Sequence, residues 1–213
     1  RGLRDGAQRG DYLRVTRQIA AGKFFGVHAD TVLVHAHPSD HIRSQQRVGP
    51  VAHTLGGMSR VFLVRHGRSE ANVAGVLAGR GDSPLDSQGE LDAADLGYRM
   101  AVVPLALAVC SPMRRTRATL SSLLREREIP TVFDDALAEC DYGEWTGESL
   151  SVLADHPLWH RVQRFPASVR FPGGESMAEM SARAVGAVRG YADQLENDQA
   201  MVVVTHGDLV KAV

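Results

Sequence analysis

The sequence predicts an α/β fold, a three-layer α/β/α sandwich with a mostly parallel central sheet. Three observations lead there. Apolar runs begin at Val61, Leu105 and Val202, and each has the length of a buried strand. Longer stretches with near-helical spacing of apolar residues lie between them. The runs end in chemically capable residues: Arg65-His66-Gly67, Ser111-Pro112 and Thr205-His206-Gly207. Strands alternating with helices make layered α/β proteins, and such sheets bind ligands beyond the carboxyl ends of their strands.

The first run, Val61 to Val64, delivers Arg65, His66 and Gly67 to one end of a strand. Arg65 offers a planar fork of donors that suits a phosphate. Gly67 lets the backbone turn and come close. Ser69 can cap a helix whose first N–H groups face a ligand. Leu77 to Leu85 is a Gly/Pro/Asp-rich loop. Asp86 or Ser87 then caps a helix running to about Met100, with Leu91, Ala94, Leu96 and Met100 near helical spacing.

Leu105 to Cys110 is the second strand, and Pro112 suits the start of the basic helix after it. Arg114, Arg115 and Arg117 cannot all face one way, so one or two at most enter a site. Thr131 to Phe133 is a short edge strand. Leu137 to Gly147 is a turn-rich loop carrying Glu139, Asp141 and Glu144, and such loops carry function more often than core. Ser149 to Arg164 reads as helical with a break at Pro157. His156 and His160 stand at i, i+4 with no third ligand near, so ordinary packing is the preferred reading. Pro172 to Ser176 caps a long helix to about Leu195. Val202 to Val204 is the third strand, and Asp208 begins a helix after Gly207.

Composition narrows the function classes. A length of 213 residues suits one domain, with two as the upper bound. A net charge of -1 gives no basic face for nucleic acid. Cys110 and Cys140 are the only cysteines, which argues against a disulfide framework and fits a reducing compartment. No apolar run approaches membrane-spanning length, and Gly22 and Lys23 interrupt Ile19 to Val27, so no signal-peptide core is present. The expectation is a soluble cytoplasmic protein without nucleic-acid or membrane partners.

Residues 1–57 look different. Arg and Gly are scattered through them, and all six methionines lie at or beyond Met58. Residues 58–213 are expected to form the domain. Arg1 to Gly57 is expected as a loosely ordered N-terminal extension with a short helix near Asp11 to Ala21. Within it, an apolar stretch from Thr31 leads to His35, His37, Asp40 and His41, which are zinc-ligand types. No distant third ligand accompanies them, so a polar loop after a short strand is the preferred reading.

The motif set, taken in order, resembles the histidine phosphatase superfamily, which includes phosphoglycerate mutases and many small phosphatases. The matching residues are Arg65-His66-Gly67 with Asn72, Ser111-Pro112 with Arg115 and Thr119, Glu139 before Tyr142-Gly143-Glu144-Trp145, and Thr205-His206-Gly207. The likeness runs from about Val61 to the last residue. It implies a phosphoglycerate-mutase-like sandwich and a phosphohistidine mechanism on a small phosphorylated substrate. His66 becomes the nucleophile. Arg65, Arg115 and His206 hold the phosphoryl oxygens. Glu139 becomes the general acid and base, and Gly67, Arg68 and Asn72 contact substrate. No metal or other cofactor is implied.

Some positions depart from the family pattern. Arg68 replaces a Glu or Gln, which implies a more basic pocket, and Asp92 stands where many members carry Gln. Gly207 separates His206 from Asp208, which disfavours the acid-phosphatase branch and leaves Asp208 as a minor alternative acid. Cys140 replaces the arginine of the mutase acid loop, and the segment from Leu150 to Phe171 is short and partly apolar. A phosphatase is therefore favoured over a cofactor-dependent phosphoglycerate mutase, and a non-catalytic phospho-ligand binding module ranks third. The resemblance also implies a further helical stretch and strand after Val213. The domain thus reads as truncated at its C-terminus, and an apolar surface beside His206 invites association, as in a homodimer.

Overall fold

The computed structural model describes residues 31–35 and 59–213. The helix expected near Asp11 to Ala21, together with His37, Asp40 and His41, lies outside the described residues. Among the described residues five strands form one sheet in the order β1-β2-β5-β3-β4. They are β1 (Thr31–His35), β2 (Arg60–Arg65), β3 (Leu105–Cys110), β4 (Thr131–Phe133) and β5 (Ala200–Thr205). Strands β2, β5, β3 and β4 are mutually parallel. Strand β1 pairs antiparallel with β2, Thr31 opposite Val64 and His35 opposite Arg60. Thr31–His35 is the short strand expected within residues 1–57, and it lies at the edge of the sheet.

The sheet is covered on both faces, as period-two alternation requires of a buried strand. Val64, Val202, Val204 and Ala108 pack with Leu96, Met100, Leu120 and Leu123. The latter belong to α2 (Ser87–Met100) and α3 (Arg114–Leu124), which follow the five-residue α1 (Glu70–Ala74). Val61, Leu63, Met201 and Val203 point the other way, toward Leu137 and Val188. Every residue of β5 is buried, which marks it as the centre of the sheet.

The remaining helices are α4 (Leu150–Ala154), α5 (Trp159–Arg164), α6 (Met177–Ala192) and α7 (Gly207–Ala212). Two caps fix where chains enter helices. Ser69 accepts from the Asn72 N–H while Asn72 reaches back to the Ser69 N–H, and Ser176 and Glu179 repeat this box at α6. The predicted helix over Ser149 to Arg164 divides into α4 and α5 around Pro157, as a residue without an N–H requires. Leu91 is 64% exposed, so the buried stripe of α2 runs through Ala93, Leu96 and Met100 instead. Helix α6 stops at Ala192, three residues short of Leu195, which turns back against the β5 side of the core.

A third apolar cluster lies beyond the sheet. Cys140, Tyr142, Trp145, Leu153, Phe171 and Met180 bury one another there. It seats the acid loop next to the strand ends.

Candidate active site

The site begins where three parallel strands stop together. Arg65 lies opposite Thr205 in the ladder. One residue later the His66 N–H donates to the Thr205 carbonyl at 3.0 Å, and the Ser111 N–H donates to the Val204 carbonyl at 2.9 Å. His66, His206 and Ser111 therefore emerge side by side. The two imidazole rings meet edge to face, 5.2 Å between centroids.

Hydrogen bonds assign the tautomer of His66. Its Nδ1 lies 2.7 Å from the Gly67 carbonyl, which can only accept, so Nδ1 carries the proton. Nε2 is left with its lone pair and accepts from Arg115 Nε at 3.2 Å. Burial, with Arg115 and Arg65 nearby, holds the ring far below the usual range, at about 3. The ring is thus neutral and nucleophilic around neutral pH.

Arg115 is 1% exposed and turns inward from the first turn of α3. Its Nη1 donates to the Gly81 carbonyl at 2.8 Å and its Nη2 to the Gly79 carbonyl at 2.7 Å. Nη2 also lies 3.2 Å from His206 Nδ1. That nitrogen therefore accepts, and His206 Nε2–H donates to Ser111 Oγ at 2.8 Å. Burial first, then Arg115, pushes His206 well below its ordinary value. Arg114 is exposed, and the Arg117 guanidinium sits 4.8 Å over the Phe133 ring. One arginine of the three enters the site.

Glu139 supplies the carboxyl group. It is buried, and its Oε1 accepts from the Cys140 N–H at 3.0 Å. Burial, and then the charge of Asp208, raise it to about 7. Asp208 accepts from Tyr142 OH at 2.8 Å. The main chain around Glu139 is gripped from α6. Arg183 donates to the carbonyls of Ala136, Ala138 and Glu139 at 2.8, 2.7 and 3.1 Å. Its Nε donates to Glu175 at 3.0 Å, and Glu175 in turn accepts from the Asp141 N–H at 2.9 Å.

Arg65, His66, Asn72, Arg115 and Glu139 line one cavity of about 1350 Å3, with Asp208 and Tyr142 at its wall. His206 stands directly behind Arg115. Two expected substrate contacts fall elsewhere. Arg68 does not line the cavity, because Asp86 takes its guanidinium, Nε to Oδ2 at 2.6 Å. The expected gain in pocket basicity is therefore absent. Gly67 does not line it either, because its place is set by packing. A Cβ there would lie 2.5 Å from the Gly89 carbonyl of α2, and its N–H donates to Thr119 Oγ1 at 3.0 Å. His156 packs its ring on Trp145, 4.9 Å between centroids. Among the described residues no group of three or more His, Cys, Asp or Glu is placed to hold a metal ion. Arg183 and Glu175 are site components that the sequence reading missed. The available signal was an arginine beside the apolar stripe Met180, Ala184 and Val188 of α6.

Comparison with known proteins finds relatives over most of the chain. The family model for the histidine phosphatase superfamily (branch 1) matches residues 61–213. The probable phosphoglycerate mutase GpmB of Citrobacter koseri is 32% identical over 152 residues, covering 70% of either chain. Phosphoserine phosphatase 1 of Hydrogenobacter thermophilus is 30% identical over 154 residues, 70% of this chain and 71% of the relative. Among solved structures, Bacillus stearothermophilus YhfR superposes with a TM-score of 0.69 at 30% identity, over 73% of this chain and 77% of that one.

Proposed function

Because the chain belongs to the histidine phosphatase superfamily, we propose that it is a phosphomonoester hydrolase working through a phosphohistidine. The observation that carries this reading is the neutral His66, whose bare Nε2 shares a cavity with two arginines and a carboxyl group raised to about 7. In the first step Nε2 attacks phosphorus and the bond to the leaving oxygen breaks. Glu139 gives its proton to that oxygen, so an alcohol departs. Arg65 and Arg115 offset the charge spread over the equatorial oxygens. His206, expected to hold a phosphoryl oxygen, does not line the cavity; it accepts from Arg115 and so holds that guanidinium in place. In the second step Glu139, now a carboxylate, takes a proton from water as its oxygen attacks phosphorus. The P–N bond breaks, and inorganic phosphate and neutral His66 result.

The name of the Citrobacter relative favours a second reading, in which the phosphoryl group returns to a phosphoglycerate instead of water. Two buried free thiols, Cys110 and Cys140, support placing the protein in the reducing cytoplasm.

The test is phosphate release from a panel of phosphomonoesters, run beside a 3-phosphoglycerate mutase assay. Stoichiometric phosphate with a trapped acid-labile, alkali-stable phosphoenzyme is expected. Isomerisation without phosphate release selects the mutase. Inertness toward every ester leaves a phospho-ligand binding module.

A further inference from the structure

Beyond the phosphoryl end, the cavity changes character. Val76, Leu77, Leu150, Trp159, Val162 and Met177 line it, and each is only partly buried. Five of the six also pack on the cluster around Trp145 and Phe171, so the wall has a fixed apolar backing. Leu77 is tied to the neighbouring loop by two main-chain bonds of 2.9 Å, to Glu148 and from Gly147. Leu77 also lies two residues before Gly79, whose carbonyl holds Arg115. The apolar wall therefore starts beside the cation that faces the phosphoryl group.

Charge is sparse along that wall. Besides Arg65 and Arg115, the cations lining the cavity are Arg189 and Lys211. Lys211 is paired with Asp208 at 3.1 Å. Arg189 lies twelve residues along α6 from Met177, about 18 Å at helical rise. Ser69, Asn72, Gln163 and Ser181 add neutral polar groups to the lining, but a carboxylate laid against Leu77, Leu150, Trp159 or Val162 has no charged partner there, and burying it so is costly.

We propose that the preferred substrate is a phosphomonoester whose leaving group carries an extended apolar body, alkyl or aromatic, laid against this wall. The inference rests on the phosphatase reading and names its substrate class. The phosphoryl group occupies the Arg65–His66–Arg115 end. The apolar body displaces water from Leu77, Leu150, Trp159 and Val162.

The experiment measures kcat/KM with the wild-type protein for ethyl, butyl, hexyl and octyl phosphate, with 3-phosphoglycerate and phosphoserine as compact carboxylated esters. The alkyl esters have nearly equal intrinsic reactivity, so their slope reports burial of the chain. A rise of about two- to fourfold per methylene is expected over the series, with both carboxylated esters below butyl phosphate. Val162→Asp should flatten the slope, and Trp159→Ala, which adds no charge, should reduce it. A flat series, or a preference for either carboxylated ester in a protein that does release phosphate, overturns this inference and leaves the phosphatase reading intact. Failure to hydrolyse any ester overturns both.

Discussion

The guanidinium of Arg183 donates to the main-chain carbonyl of Glu139 at 3.1 Å, from a helix 44 residues further along the chain. The same side chain binds the carbonyls of Ala136 and Ala138. It therefore fixes the direction of the acid loop without touching the cavity. Charge-assisted bonds of this kind are stronger than neutral ones. Arg183→Met should lower turnover of alkyl phosphates by about tenfold or more, as misplacement of a catalytic group does. Measured as kcat/KM, which reports only the steps up to the phosphoenzyme, the loss on 4-nitrophenyl phosphate, whose leaving group needs no proton, should be much smaller than on alkyl phosphates. Equal losses on both substrates indicate general damage to the fold and refute a positioning role.

His66→Ala removes the atom that attacks phosphorus. Turnover should fall by about 10³-fold or more, because the covalent route is lost while the cationic pocket remains. Binding of inorganic phosphate, read as a rise in melting temperature, should persist. Activity within about tenfold of wild type rules out His66 as the nucleophile.

Gly67 and Gly89 let the loop after β2 touch the first turn of α2. A Cβ on Gly89 would lie 2.0 Å from the Arg68 carbonyl, and one on Gly67 lies 2.5 Å from the Gly89 carbonyl. The obstacles are backbone atoms, which cannot swing aside. Gly67→Ala should destabilise the protein by about 1–3 kcal/mol, the usual range for overpacking, and Gly89→Ala by at least as much. Denaturant unfolding measures both. Wild-type stability in Gly67→Ala, with activity lost, returns Gly67 to a substrate-contact role.

The strands were legible because their apolar runs are long and end in turn or capping residues, as at Val61 to Val64 before Arg65. That His66 and His206 share a site was implied by the family resemblance, and the parallel pairing of β2 with β5 is what sets them side by side. Arg68 was misread because its partner Asp86 is 18 residues away, and nothing local signals a bond between them. The hold of Gly79 and Gly81 on Arg115 uses main-chain carbonyls, which every residue has and no sequence distinguishes. Arg183 escaped notice because a lone arginine beside an apolar stripe usually snorkels to water.

Protonation of Glu139 sets the alkaline limit of the reaction. Its carboxyl is raised to about 7 by burial and by Asp208, and the first step needs the protonated form. With an alkyl phosphate, kcat/KM should fall as pH rises above about 7, approaching tenfold per pH unit. His66 stays neutral down to about 3 and does not create an acid limb in the working range. Stability moves in two senses. The raised carboxyl contributes most below its ordinary value of 4.5, and that contribution is lost as pH rises through 7. The lowered imidazole acts oppositely. The unfolded chain binds its proton from 6.5 downward and the folded chain only near 3, so stability declines as pH falls between those values. Glu139→Gln should lower alkyl-phosphate turnover by about 10²- to 10⁴-fold and abolish the alkaline limb. If the variant keeps that limb, the titrating group is not Glu139.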